Sequence, residues 1–208
     1  MLTRYALPPL LSVVLCSLVL TLWACTPARP VESLPATTPP LNGAALEPAV
    51  SLPVLTFTRS DGGRFTAADT RGRISLFFFG YTHCADVCPL TLAELRQIRR
   101  ALGGDATGVD MYFVTLDPAR DTVERMQTYL ANFPGVVGLI GSDAELVRTQ
   151  SVFNVVAERR NMGDREYALD HTAATYLVNS ASQLQLAYPY GTPRDEIVSD
   201  LHRLVAAR

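Results

Sequence analysis

Apolar positions run in two periods along this chain, and the alternation between them lays out a fold. Residues 74–79 (Ile-Ser-Leu-Phe-Phe-Phe) are almost continuously apolar, the pattern of a strand buried on both faces. Leu92, Leu95, Ile98 and Leu102 then recur at helical spacing. A second apolar run at 110–116 predicts another buried strand. Asp121 with Glu124 three residues on predicts a capped helix whose inner stripe is Val123, Met126 and Leu130. A short strand is expected near 136–140, and then a helix over about 143–153 with Leu146 and Val147 inward. Residues 159–166 are polar and include Gly163, which predicts an exposed loop. Two strands at 173–179 and 183–188 flank a Ser180-Ala181-Ser182 turn. The closing helix is expected from Pro193, capped by Thr192, with Ile197, Leu201, Leu204 and Val205 facing the core.

The order β-α-β-α-β-α-β-β-α implies an α/β domain of thioredoxin-like arrangement, a mostly parallel central sheet flanked by helices and closed by an antiparallel hairpin. Sheets of this kind bind ligands outside the carboxyl ends of their strands.

Upstream the pattern changes. Arg4 precedes a mostly apolar stretch over residues 5–24, ending Leu22-Trp23-Ala24-Cys25. This predicts a segment 1–25 that acts as a secretory signal, resembling a lipobox in which Cys25 is lipidated, or as a retained membrane anchor. Arg4 would then mark the cytoplasmic side and the remainder would face outward. Cys16 lies inside this stretch and has no expected role in the folded domain. Residues 26–50 hold six prolines and no apolar periodicity, which predicts an extended linker. Residues 51–208 then suffice for one domain with a single core.

Formal net charge is −2, with basic residues scattered, so nothing indicates nucleic acid. All eighteen basic residues are arginine, which removes lysine nucleophiles and Schiff bases from consideration.

The candidate chemistry lies in Thr82-His83-Cys84-Ala85-Asp86-Val87-Cys88-Pro89, on a strand-to-helix turn. With Pro89 at the first helical position, Cys88 falls at or near the N-cap, where the helix dipole favours its thiolate. Two thiolates at this spacing suit a disulfide or a soft metal. The chain has three histidines. His202 reads as a structural residue of the closing helix, and His83 as a bystander, because strand alternation points it away from Cys84. His171 ends the polar loop and opens a strand, from where it can reach the top of the sheet. Two thiolates and an imidazole suit Cu(I); a further carboxylate or water would suit Cu(II), and zinc is chemically possible. Asp86 and Asp170 are the nearby carboxylates, Asp86 alternatively a turn residue bonding its own backbone. Met162 could lend a thioether.

Three separated motifs carry a resemblance: Phe79-Gly80-Tyr81-Thr82-His83-Cys84-Ala85-Asp86-Val87-Cys88-Pro89, Asp117-Pro118-Ala119-Arg120-Asp121-Thr122, and Asp170-His171-Thr172-Ala173. Together they resemble the Sco/SenC copper proteins from Leu52 through the closing helix. Ala85 departs from the proline that members usually carry. The resemblance implies a thioredoxin-like fold, tethering to a membrane outside the cytoplasm, and copper held by Cys84, Cys88 and His171. It further implies a metallochaperone that delivers copper to, or prepares, the dinuclear copper site of a cytochrome c oxidase subunit, with an upstream copper donor as a second partner. The alternative is a thiol-disulfide reductase using Cys84 and Cys88 to keep the recipient's metal-binding cysteines reduced.

Overall fold

A computed structural model describes residues 39–163 and 166–208. Residues 1–25, with Cys16 and Cys25, lie outside the described residues. The folded unit runs from Pro40 to Arg208. Among the described residues no helix is long and apolar enough to cross a membrane.

An eight-stranded sheet forms the centre. Its strands are β1 (Ala44–Ser51), β2 (Thr56–Arg59), β3 (Arg64–Thr66), β4 (Ile74–Gly80), β5 (Val109–Thr115), β6 (Val136–Ile140), β9 (Ala174–Val178) and β10 (Gln183–Pro189). The order across the sheet is β1-β10-β9-β4-β5-β6-β2-β3. β4, β5 and β6 pair in parallel, and every other pairing is antiparallel, so the sheet is mixed around a parallel centre. The helices are α1 (Val87–Ala101), α2 (Val123–Leu130), α3 (Asp143–Phe153) and α4 (Arg194–Ala206).

β4 shows why the apolar runs become central strands. Ile74, Leu76 and Phe78 alternate onto one face, packed with Leu92, Leu95 and Ile98 of α1, Met126 of α2 and Ile197 and Leu201 of α4. Phe77 and Phe79 face the other way, against Leu146 and Phe153 of α3 and Phe57 and Phe65 of β2 and β3. A strand buried on both faces cannot alternate with polar residues. Each such side chain contributes about 1.5–3 kcal/mol of burial, so β4 anchors both layers.

Several boundaries differ from the sequence reading. Residues 44–50, assigned to the linker, join Ser51 in β1 on the edge of β10, because the pairing is carried by backbone and needs no apolar periodicity. The buried Asp200 of α4 holds the chain just before it, accepting the N–H groups of Asn42 (2.8 Å) and Gly43 (3.0 Å), the Asn42 amide (2.9 Å) and the Tyr188 hydroxyl (3.0 Å). The polar stretch expected as a loop is instead an exposed hairpin of β7 (Ala157–Gly163) and β8 (Glu166–His171), a separate two-stranded sheet. Val147 points outward at 66% exposure, leaving Leu146 and Phe153 to bury α3. α4 takes Pro193 as its N-cap residue, while the Thr192 hydroxyl donates back to the Pro189 carbonyl at 2.7 Å.

The antiparallel pairing of β9 with β4 sets Thr175 beside Phe78. The start of β9 therefore lies at the carboxyl end of β4, and so does His171 at the end of β8.

Candidate metal centre

β4 must end in glycine. A Cβ on Gly80 would stand 2.7 Å from Cys88 Sγ and 2.8 Å from Phe113 Cε2, so only a missing side chain lets the buried sulfur approach the strand. The chain turns through residues 81–86, with the Cys84 N–H on the Tyr81 carbonyl at 3.2 Å, and enters α1. Asp86 occupies the N-cap position without a side-chain cap bond. Cys88 is thus the second helical residue and Pro89 the third, two positions deeper than their sequence suggests. Pro89 still falls among the first four residues, whose N–H groups have no intrahelical partner.

This shift reassigns the helix start to the other cysteine. The N–H groups of Asp86 and Cys88 favour the thiolate of the partly exposed Cys84. Cys84 is driven down to about 3, chiefly by the hydrogen bond from the Cys88 thiol, with His171 and the two amides adding to it against the opposing effect of burial. Cys88, at 0% exposure, is pushed up: it keeps the proton it shares with Cys84, and burial adds to the same direction. The pair therefore holds one thiolate at the opening and one thiol in the core.

His171 completes the group. Its Nε2 lies 3.5 Å from Cys88 Sγ, and the donor atoms of Cys84, Cys88 and His171 are all within 4.8 Å of one another. His171 Nδ1 is 3.1 Å from the Thr172 carbonyl, an acceptor only, so Nδ1 carries hydrogen and Nε2 turns to the sulfurs. The ring is walled by Phe78, at 6.4 Å between centroids, and by Tyr81, nearly perpendicular at 6.0 Å. Two sulfurs and one imidazole nitrogen, one sulfur already ionised, fit a soft monovalent ion well.

The other sequence candidates stay outside this group. His83 is exposed and faces Asp121 at 3.8 Å. Asp170, 60% exposed, pairs with Arg160 at 3.0 Å, and Met162 is exposed with its sulfur 3.5 Å from an Arg160 nitrogen. Asp86 is exposed. His202 bonds Asp105 at 2.6 Å, as a structural residue would.

The roles of several supporting residues escaped the sequence reading. Tyr81, buried, accepts the Leu169 N–H at 3.2 Å and so ties β8 to the cysteine turn. Tyr167 of β8 is stacked between the guanidinium groups of Arg120 (3.5 Å) and Arg159 (3.7 Å), while its hydroxyl donates to Asp117 at 2.7 Å. Arg120 in turn is paired with Asp117 and donates to the Tyr167 carbonyl at 3.0 Å. Asp121 does not cap α2, since Thr122 does so by accepting the Arg125 N–H. It is buried among Thr82 and Thr115 instead. Of these, the cluster around Asp117 had a signal, a charged motif leaving a buried strand, and Tyr81 lay within the cysteine motif; Tyr167 had none.

Residues 47–206 match the sequence profile of SCO1/SenC. The chain belongs to the SCO1/SenC family. Among its relatives, the mouse mitochondrial SCO2 homologue is 35% identical over 144 residues, covering 67% of this chain and 56% of the relative. The chain thus spans about half the length of the curated relatives it matches. Among solved structures, copper-bound ScoI of Bradyrhizobium japonicum is 35% identical with a TM-score of 0.70, covering 75% of this chain and 99% of that one. Apo Sco1 of Thermus thermophilus is 31% identical with a TM-score of 0.70, covering 81% and 99%. The fold is the thioredoxin-like fold of these Sco proteins.

Proposed function

We propose that this SCO1/SenC protein carries copper on Cys84, Cys88 and His171 and serves cytochrome c oxidase assembly as a metallochaperone, delivering copper to the recipient subunit's dinuclear site. The observation that carries the reading is the convergence of three soft donors within 4.8 Å from two distant stretches of chain. The copper bound to the 35% identical B. japonicum protein supports it. Tethering through residues 1–25 on the extracytoplasmic side completes the proposal, with copper arriving from an upstream donor.

The residues divide the work. Cys84 offers a thiolate at the opening without prior deprotonation. Cys88 must release its proton as copper enters, so uptake liberates a proton. Thr172 holds the His171 ring with Nε2 inward. In the reduced protein under anaerobic conditions, with Cys16→Ser and Cys25→Ser to leave two thiols, we expect one Cu(I) per chain in competition with a chromogenic chelator. His171→Ala should weaken it by at least about tenfold, as loss of a ligand exceeds loss of an outer-shell partner. Undiminished affinity in that variant would remove His171 from the site.

A second reading rests on the asymmetry of the sulfurs. Cys84 thiolate can attack a disulfide of the recipient, forming a mixed disulfide and releasing one recipient thiolate. Cys88 then gives up its proton and attacks Cys84, releasing the second thiolate and leaving a Cys84–Cys88 disulfide, to be reduced by an external dithiol. Reduction of a recipient disulfide at the wild-type rate in His171→Ala, alongside weak copper binding, favours this reading.

A further inference from the structure

Asp121 is a carboxylate at 0% exposure, and its nearest basic group is the His83 ring at 3.8 Å. Burying it costs free energy unless its acceptor capacity is filled. It is filled from the loops that leave two neighbouring strands. Oδ2 accepts the Thr82 N–H at 3.0 Å and the Thr115 hydroxyl at 2.6 Å, and Oδ1 accepts the Thr82 hydroxyl at 2.6 Å. Arg125 Nε donates to the same Thr82 oxygen at 2.9 Å. Thr82 stands two residues before Cys84, in a turn that no strand pairing holds. Helix capping does not account for Asp121, because Thr122 already performs it.

We infer that Asp121 is a positioning residue of the metal centre: by gripping Thr82 from beneath, it sets the Tyr81–Cys84 turn and with it the place of the Cys84 sulfur relative to Cys88 and His171. The inference deepens the copper reading and rests on it for its consequence, though not for its geometry.

The test compares Asp121→Ala with Asp121→Asn. The asparagine carbonyl can accept from the Thr82 N–H and the Thr115 hydroxyl while its amide donates to the Thr82 oxygen, so the conservative variant keeps the turn and alanine does not. Two quantities are read in the Cys16→Ser, Cys25→Ser background: amide hydrogen exchange over residues 81–86 in the metal-free reduced protein, and Cu(I) affinity by chelator competition. Asp121→Ala should exchange at least about tenfold faster over that segment and bind Cu(I) at least about tenfold more weakly, the range for outer-shell groups. Asp121→Asn should stay within about threefold of wild type in both. A folded alanine variant with wild-type exchange and affinity overturns the inference, and so does an asparagine variant as impaired as alanine. If the alanine variant gives no cooperative melt, Thr82→Val decides by the same two criteria, since it removes the hydroxyl's bonds to Asp121, Arg125 and His83 at nearly constant volume. Should the wild type itself take up no Cu(I), the copper reading falls and the exchange comparison alone decides the role of Asp121.

Discussion

Cys84 and Cys88 hang between a strand end and a helix start built into the core, whereas His171 closes a hairpin that stands largely in solvent. Phe78, Phe113 and α1 surround the Cys88 sulfur with fully buried side chains. β7 and β8 pair with each other alone; Ala157, Leu169 and the His171 ring pack on the core, and the remaining ties to the described residues are a few polar and cation–π contacts. One side of the donor set is therefore fixed by close packing throughout and the other by fewer and more exposed contacts. Under the proposed copper-transfer role this inequality would matter, because the less buried histidine side is where the donor set would open without unfolding the core.

The fixed side should show the largest response to a small change. Gly80→Ala forces a methyl into Cys88 Sγ and Phe113, an overpacking worth about 1–3 kcal/mol. That should lower the melting temperature of the metal-free protein by roughly 3–10 °C in calorimetry. A melt unchanged from wild type would mean that the core beneath Cys88 yields, and the contrast would be lost.

On the hinged side, Tyr167→Leu removes two cation–π stacks and the bond to Asp117, about 1–2 kcal/mol in all. The loss should appear locally, as faster hydrogen exchange and proteolysis over 157–171, with the global melt nearly unmoved. A global shift as large as that of Gly80→Ala would show that the hairpin belongs to the core after all.

The acidity of the opening sulfur offers a third check. With Cys84 depressed to about 3 from an ordinary 9.0, its alkylation by iodoacetamide in the metal-free protein should stay nearly flat from pH 8 to 5 and fall only as pH approaches 3. An ordinary thiol would lose about tenfold per pH unit over the same range. The sign for stability follows: because the folded value is depressed, the contribution of Cys84 is complete above the unfolded value and is lost as pH falls through 3. Cys88, raised, acts oppositely, and its contribution is present below its unfolded value and lost as pH rises through the folded one.

The smallest effect is expected at Asp170. Its bond to Arg160 is more than half exposed at both ends, so Asp170→Asn should leave the midpoint of a denaturant titration nearly unmoved.

The same contrast explains what could be read from the chain. β4, β5 and β6 announced themselves because strands buried on both faces must be apolar throughout, and α1 because its inner stripe meets them. Cys84, Cys88 and His171 could be picked out because they carry rare side-chain types at a predicted strand end. The hairpin was invisible: seven residues of β7 expose nearly all their side chains, so no period of two is written in them. β1 was hidden in a proline-rich stretch for the same reason, since backbone pairing leaves no mark on composition. Asp121 misled because Asp followed by Glu at the third place imitates a cap, while a tertiary demand from Thr82 claimed its carboxylate. Which cysteine receives the helix start turned on a two-residue shift of the helix boundary, finer than any periodicity resolves.

Cys88 is sealed from solvent while Cys84 and His171 are partly open. An incoming ligand can approach from one side alone, which gives the proposed handover a direction. His171 or Cys84 is the natural first leaving group, and Cys88 the last to let go. In the proposed handover the ion would stay bound at the back until that final step while the recipient closes over the front, so that cargo in transit would never be free in solution.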